Sequence, residues 1–153
     1  MYEGAVKQKR KFPQKVMDWL GVCSKGVSPL IIFEDGWVDH ARYIREVLPI
    51  ALEYGDQVFG DQRTFQQDGT KPHIHHLTQQ WRRDNFPVFI DKDHWPPKSP
   101  DFNPLDYSIL DEFAPVIYCD KVKCKKTLIE EPKRSVKKIR PEVVFESCTS
   151  WTK

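Results

Sequence analysis

Strand-like runs come first in this chain and helix-like segments follow, an order that predicts an α/β fold built on a mixed sheet. Two observations carry it. Val16 to Val22 and Pro29 to Phe33 are β-prone runs with Ser24, Lys25 and Gly26 as a turn between them. Beyond them Tyr43, Ile44, Val47, Leu48 and Ala51 recur at helical spacing. The 153 residues are 39% apolar and 12% aromatic, enough for one domain with a modest core.

Residues 1–15 are polar and basic without periodicity and read as a disordered arm, which leaves 16–153 as the folded unit. Asp35-Gly36 ends the second strand. Asp39 caps a helix that runs to about Tyr54, kinks at Pro49 and stops at Gly55. Thr64 to Gln67 is a short strand with Asp68 at its end. Pro72 precedes a helix from about His73 to Asn85, with Ile74, Leu77 and Trp81 on its buried side. Pro87 introduces a strand over Val88 to Ile90. The loop from Lys92 to Pro104 is stiffened by prolines, and Trp95 anchors it as Trp81 anchors the helix. A further helix starts near Leu105 with Asp106 in its first turn. Thr127 and Glu130 have capping-box spacing for a final helix towards Ile139.

Composition excludes several classes of function. No apolar run approaches membrane-spanning length, and the opening MYEGAVKQKRKF has no signal-peptide core, so a cytosolic or nuclear protein with no membrane partner is expected. Cys23, Cys119, Cys124 and Cys148 are irregularly spaced and suit reduced thiols. The net charge is only +2, but it is uneven. Lys9, Arg10 and Lys11 crowd the start, and Lys125, Lys126, Lys137 and Lys138 crowd the end. Such clusters can track phosphates by releasing counterions, or can be solvated faces.

Asp68 leaves a strand just before Gly69, so its carboxylate can project past a sheet rim, where open α/β sheets place ligands. Asp106 can return opposite it on a helix. Two such acids can hold a pair of divalent metals about 4 Å apart against a phosphodiester. A turn-forming Asp68 and a helix-capping Asp106 satisfy the same spacing. His75 and His76 read as exposed helix histidines, and Cys119 with Cys124 lacks the second pair that a zinc site takes.

The residues around the two acids add a resemblance. FQQDGTKPH, NFPVFI and WPPKSPDFNPLDYSI together resemble the catalytic domain of mariner/Tc-type transposases, as do VMDWLGVCSKGVSPLIIFEDG and the helix around RYIREVLPIAL. The similarity covers about residues 13 to 151 and points to the mariner-related branch with Asp in third place. It implies a ribonuclease H-like fold, Asp68 and Asp106 as the second and third metal ligands, and His73 in a supporting role. It further implies Mg2+ or Mn2+ as cofactor, transposon-end DNA as partner, a homodimer, and work in the nucleus.

The same resemblance implies a first acid on a central strand just upstream of VMDW, and a helix-turn-helix region before that. The residues there, MYEGAVKQKRKFPQK, hold one acid, Glu3, and no strand signal. Asp18 lies on a different strand with a different aim. The expectation is a catalytic-domain fragment that lacks its first ligand and central strand and no longer cuts DNA. Pro115 and Pro132, inside helix-like segments, point to the same decay. The alternative is a retained non-catalytic DNA-binding or interaction module.

Overall fold

The first β-prone run bends at Leu20-Gly21, so it supplies two short strands where one is expected. In the computed structural model, which describes residues 15–96, 103, 109 and 124–150, these are β1 (Met17–Trp19) and β2 (Val22–Cys23). β2 turns directly into β3 (Gly26–Val27), with Cys23 opposite Gly26. β1 pairs antiparallel with β4 (Ile31–Phe33), Met17 facing Phe33 and Trp19 facing Ile31. The bend is held by a reciprocal pair. Gly21 N donates to Ser28 Oγ and Ser28 N donates to the Gly21 carbonyl, both at 2.8 Å.

Asp39 caps the helical region as expected, its Oδ1 accepting from Arg42 N at 2.8 Å. The kink expected at Pro49 takes a specific form. A short α1 (His40–Arg42) widens into a π-helical turn, Tyr43–Val47, before α2 (Leu48–Phe59) begins. Pro49 has no N–H to return to the Arg45 carbonyl, and its ring would press on that carbonyl in a straight α-helix. In the π turn Leu48 N–H reaches back to the Tyr43 carbonyl and the crowding is relieved. Gly55 does not stop the helix. The Arg63 side chain lies against it, with Nε 2.5 Å from where a Cβ would stand, so the residue makes room for a neighbour. The stop is Gly60, at φ 58°.

The core forms on the inner side of this region. Phe33, Tyr43, Val47, Leu48, Ala51 and Phe86 are buried together, and Trp19, Phe65, Trp81 and Phe89 pack around them. Thr64 to Gln67 and Val88 to Ile90 are strand-like only through one parallel bridge, Phe65 to Phe89. Antiparallel pairs and a parallel bridge make the arrangement mixed. Among the described residues no strand joins the β1–β4 pair to the Phe65–Phe89 pair.

The helix expected from His73 to Asn85 is broken at His75, whose ψ of 139° is extended. It gives α3 (Lys71–Ile74) and α4 (His76–Asn85). The break rotates the buried face away from the apolar stripe. Ile74 and Leu77 are exposed, contrary to expectation, while Thr78, Gln79 and Arg82 are buried and Trp81 packs on the core rim as expected. The polar face has a physical reason. Ending α3 early orphans its last carbonyls. Thr78 Oγ1 donates to the Pro72 carbonyl at 2.7 Å, and Gln79 Nε2 to the His73 carbonyl at 2.8 Å.

Near the carboxyl end, α5 (Lys125–Val136) begins at Cys124, earlier than the Thr127 cap expected. Thr127 instead completes that cap, its Oγ1 accepting from Cys124 N at 3.1 Å. Pro132 is buried inside α5, which continues through it, and α6 (Pro141–Ser150) follows. α6 packs against β2 and β3. Residues 1–14, the helix expected near Leu105 and Pro115 lie outside the described residues.

Candidate metal centre at Asp68

The parallel bridge is made by Phe65 N donating to the Val88 carbonyl at 2.9 Å and Ile90 N donating to the Phe65 carbonyl at 3.0 Å. Because the two segments run the same way, Asp68 and Asp91 both emerge from carboxyl ends, the rim where α/β sheets present ligands. Arg82 holds the two segments from behind. Its guanidinium lies 5.4 Å from the Phe65 ring and 4.5 Å from the Phe89 ring, and Nη2 donates to the Ile90 carbonyl at 2.6 Å. Burial pushes its pKa down to about 10, which still leaves it cationic at neutral pH.

Asp68 is oriented by its own loop. Its Oδ1 meets His73 Nδ1 at 2.6 Å and accepts from Thr70 N at 3.2 Å. The hydrogen bond from His73 holds the Asp68 carboxyl below the usual carboxylate range, against an opposing contribution from partial burial. The side chain remains 39% exposed, so an ionised carboxylate is open to solvent and to ligands. His73, expected in a supporting role, is placed in α3 by the Thr70-Lys71-Pro72 turn and meets the Asp68 carboxylate.

A second layer was not visible in the sequence. The His73 ring lies 4.5 Å from the Tyr43 ring, and the Tyr43 hydroxyl meets Gln67 Oε1 at 2.5 Å. Burial pushes the Tyr43 phenol up, so it keeps its proton and is the donor. The side chains that follow one another at Gln67 and Asp68 are thus fixed separately, Gln67 by the π turn and Asp68 by α3. Asp91 has a partner of the same kind, with His94 Nδ1 at 2.6 Å, and it also accepts from Asp93 N and His94 N at 3.0 Å. Its position after Val88 to Ile90 repeats that of Asp68 after Thr64 to Gln67, the one signal that could have flagged it.

The remaining site expectations divide. Asp106, Lys9, Arg10 and Lys11 lie outside the described residues. Lys125 and Lys126 start α5, whereas Lys137 and Lys138 follow its end, about 18 Å away at 1.5 Å per residue. The carboxyl-terminal basic group is therefore two pairs, with Lys133 and Arg134 between them bound to Glu130 and Glu131. His76 is exposed as expected. His75 is not a helix-surface histidine: it caps α4 by accepting from Leu77 N at 3.3 Å, and its ring stacks on His40 at 3.5 Å. Cys124 is exposed, and among the described residues no group of three or more His, Cys, Asp or Glu side chains is arranged to hold a metal.

No protein-family model matches the chain, and no curated protein matches it by sequence. Solved structures do. The Mos1 mariner paired end complex with Mn superposes with a TM-score of 0.76 at 15% identity, over 99% of this chain and 45% of that one. The Mos1 transposase paired-end complex with left transposon end gives 0.76 at 13% identity, over 99% and 44%. The Mos1 transposase catalytic domain with raltegravir and Mn gives 0.68 at 14% identity, over 90% and 77%. This chain has the ribonuclease H-like fold of that catalytic domain, and it spans less than half the length of the chains in the paired-end complexes.

Proposed function

We propose that this chain is catalytic-domain sequence of a mariner/Tc-type transposase, in which Asp68 and Asp106 are the second and third metal-binding carboxylates. The observation that supports this most is one of position. An ionised, half-exposed carboxylate leaves the end of a strand-like segment in a fold shared with Mos1 transposase. Carboxylate oxygens are the hard donors that Mg2+ and Mn2+ take, so the residue fits the cofactor. When bound, such ions supply Lewis-acid activation of the attacking oxygen and charge stabilisation at the leaving one. The residues of this chain do the rest: His73 aims Asp68, and Tyr43 with Gln67 fixes the strand end beside it.

Two carboxylates leave a pair of dications under-neutralised, so Asp68 and Asp106 by themselves hold metal weakly. Its DNA contact is salt-sensitive and comes from the lysines flanking α5 together with Lys9, Arg10 and Lys11. Transposon ends, engaged by a homodimer in the nucleus, are the partner and setting of this reading. The test is Mn2+ titration of the folded chain followed by electron paramagnetic resonance. Weak binding that Asp68→Ala and Asp106→Ala each reduce at least fivefold is expected. Binding unchanged by both substitutions would remove the reading. The exposed Lys126, Lys137 and Lys138 favour a second one, a non-catalytic DNA-binding module. Salt-dependent DNA binding that survives both alanine substitutions, with no metal binding, would select it.

A further inference from the structure

Three imidazoles meet where α1 touches the break between α3 and α4. The His75 ring stacks on the His40 ring, with centroids 3.5 Å apart and planes 8° from parallel, and the His76 ring lies tilted at 4.4 Å from His75. Rings stacked face to face do not aim their nitrogens at a common centre, in keeping with the lack of a metal-holding group among the described residues. Their chemistry is proton uptake. His75 stands where the chain breaks, at ψ 139°, and its Nδ1 accepts from Leu77 N at 3.3 Å to cap α4. A protonated ring carries N–H on both nitrogens and accepts nothing, so the cap exists only while His75 is neutral. A positive charge there would also oppose the dipole at the amino end of α4 and face a second imidazole across the stack. The charges that His75 meets are those of His40 from α1 and His76 from α4, and with burial they hold its pKa below the usual 6.5. Lys71, exposed, adds a further cation on α3. Among the described residues the acids of the packed elements are engaged elsewhere: Asp39 with Arg42 N, Glu46 with Arg42 and Arg45, Asp68 with His73, and Asp84 with Gln80.

We propose that His75 is a proton-operated joint between α3 and α4, locking both onto α1 when neutral and releasing them when protonated. The release reaches further than the ring itself. α3 is a single turn, Lys71–Ile74, which packs on α1 and α4 and carries His73 to the Asp68 carboxylate. With the stack and the cap gone, the bonds from Thr78 Oγ1 and Gln79 Nε2 to the Pro72 and His73 carbonyls still tie α3 to α4, but the pair no longer has its ring contact to α1. Acidification therefore loosens the turn that aims Asp68, while Tyr43, Val47 and Leu48 stay in the core behind it. The joint rests on the packing of α1, α3 and α4 and not on the metal reading of Asp68.

The test follows the folded chain by NMR from about pH 7.5 to about pH 5, with amide hydrogen exchange corrected for its intrinsic pH dependence. The His75 ring, the Leu77 amide and the contact between the His40 and His75 rings should change together, at one midpoint below 6.5. Across that midpoint the amides of His73 and Ile74, which both donate to the Thr70 carbonyl, should lose protection by about tenfold or more. The core amide of Leu48, bonded to the Tyr43 carbonyl, should keep its own. His75→Asn caps a helix without titrating in this range and should abolish the loss at His73 and Ile74. Ile74 protection that stays constant while the His75 ring titrates would overturn the proposal, as would an equal loss at Leu48, which marks global unfolding. A loss that persists in His75→Asn, where His73 still titrates, would overturn it too. The wild-type series decides the first two outcomes by itself, so the test does not depend on the variant folding.

Discussion

Replacing Gln79 with leucine tests why the buried face of α4 is polar. Gln79 is 2% exposed, and an apolar residue of similar volume would ordinarily suit such a position. Here its amide bridges two backbone groups on different segments. Nε2 donates to the His73 carbonyl at 2.8 Å, and Oε1 accepts from Lys92 N at 3.2 Å. Leucine leaves both groups without a partner, at about 1–3 kcal/mol each. Its own burial returns about 1–2 kcal/mol. The net loss is about 2–3 kcal/mol, a fall in Tm of about 4–12 °C for a chain of this length. Urea denaturation followed by circular dichroism reads it, with an unchanged slope marking a stability effect. Gln80→Leu on the exposed face is the control and should stay within about 0.5 kcal/mol. A Gln79→Leu chain as stable as wild type, or more so, would refute the idea that α4 side chains replace lost backbone partners.

Other substitutions address single features. Gly60→Ala places a Cβ where nothing lies within 4 Å, so the whole effect is conformational: a loss of about 1–3 kcal/mol at φ 58° and ψ −135°, a region open chiefly to glycine, read by thermal melting. Asp39→Ala removes the acceptor for Arg42 N and should cost about 1 kcal/mol, whereas Asp39→Ser should recover most of it. His75 has a pKa pushed down by burial and then by His40 and His76, so the fold favours its neutral form. The stability it contributes is complete above its unfolded pKa of about 6.5 and is lost as pH falls through the lower folded value. Melting temperatures between pH 7.5 and 5 should therefore fall more steeply for wild type than for His75→Gln, and equal slopes would remove the role of the stack. For Asp68 the sign is the same but the window is acidic. Its lowered pKa adds stability above about pH 4 that disappears at lower pH, and His73→Phe should move the carboxyl back up, as read by carbon-13 NMR.

Sequence revealed those elements whose cause is local. Asp39 was legible as a cap because capping needs only a short polar side chain and the next turn of backbone. Pro49 was legible as a disturbance for the same reason, although the widening into a π turn depends on how Tyr43 is held in the core. Gly55 misled because a glycine that ends a helix and one that admits a neighbour look alike until Arg63 is in place. The polar face of α4 was illegible for a related reason. Periodicity assumes one continuous helix, and the break at His75 shifts which residues face inward. Once α3 ends early, carbonyls need partners, and Thr78 and Gln79 supply them where Leu77 cannot.

The site follows the same rule, with a consequence for how its acid behaves. Asp68 and His73 sit five residues apart in one turn-and-helix segment, so their pairing is a local property and could be expected. Tyr43 and Gln67 come from a helix and a strand-like segment far apart in sequence, and only the fold joins them. The local pair favours the charge: the hydrogen bond from His73 holds the Asp68 carboxyl below the usual carboxylate range, against partial burial. The distant pair sets the aim, because turning Gln67 away takes the acceptor from the buried Tyr43 hydroxyl, whose other side-chain partner is Trp19. A carboxylate whose charge and direction are fixed by different elements can lose one and keep the other. Tyr43→Phe should leave the Asp68 titration where it is while weakening Mn2+ binding, and His73→Phe should move both. A Tyr43→Phe chain that binds Mn2+ as wild type does would mean that the strand end is held by Arg82 and the Phe65–Phe89 bridge alone.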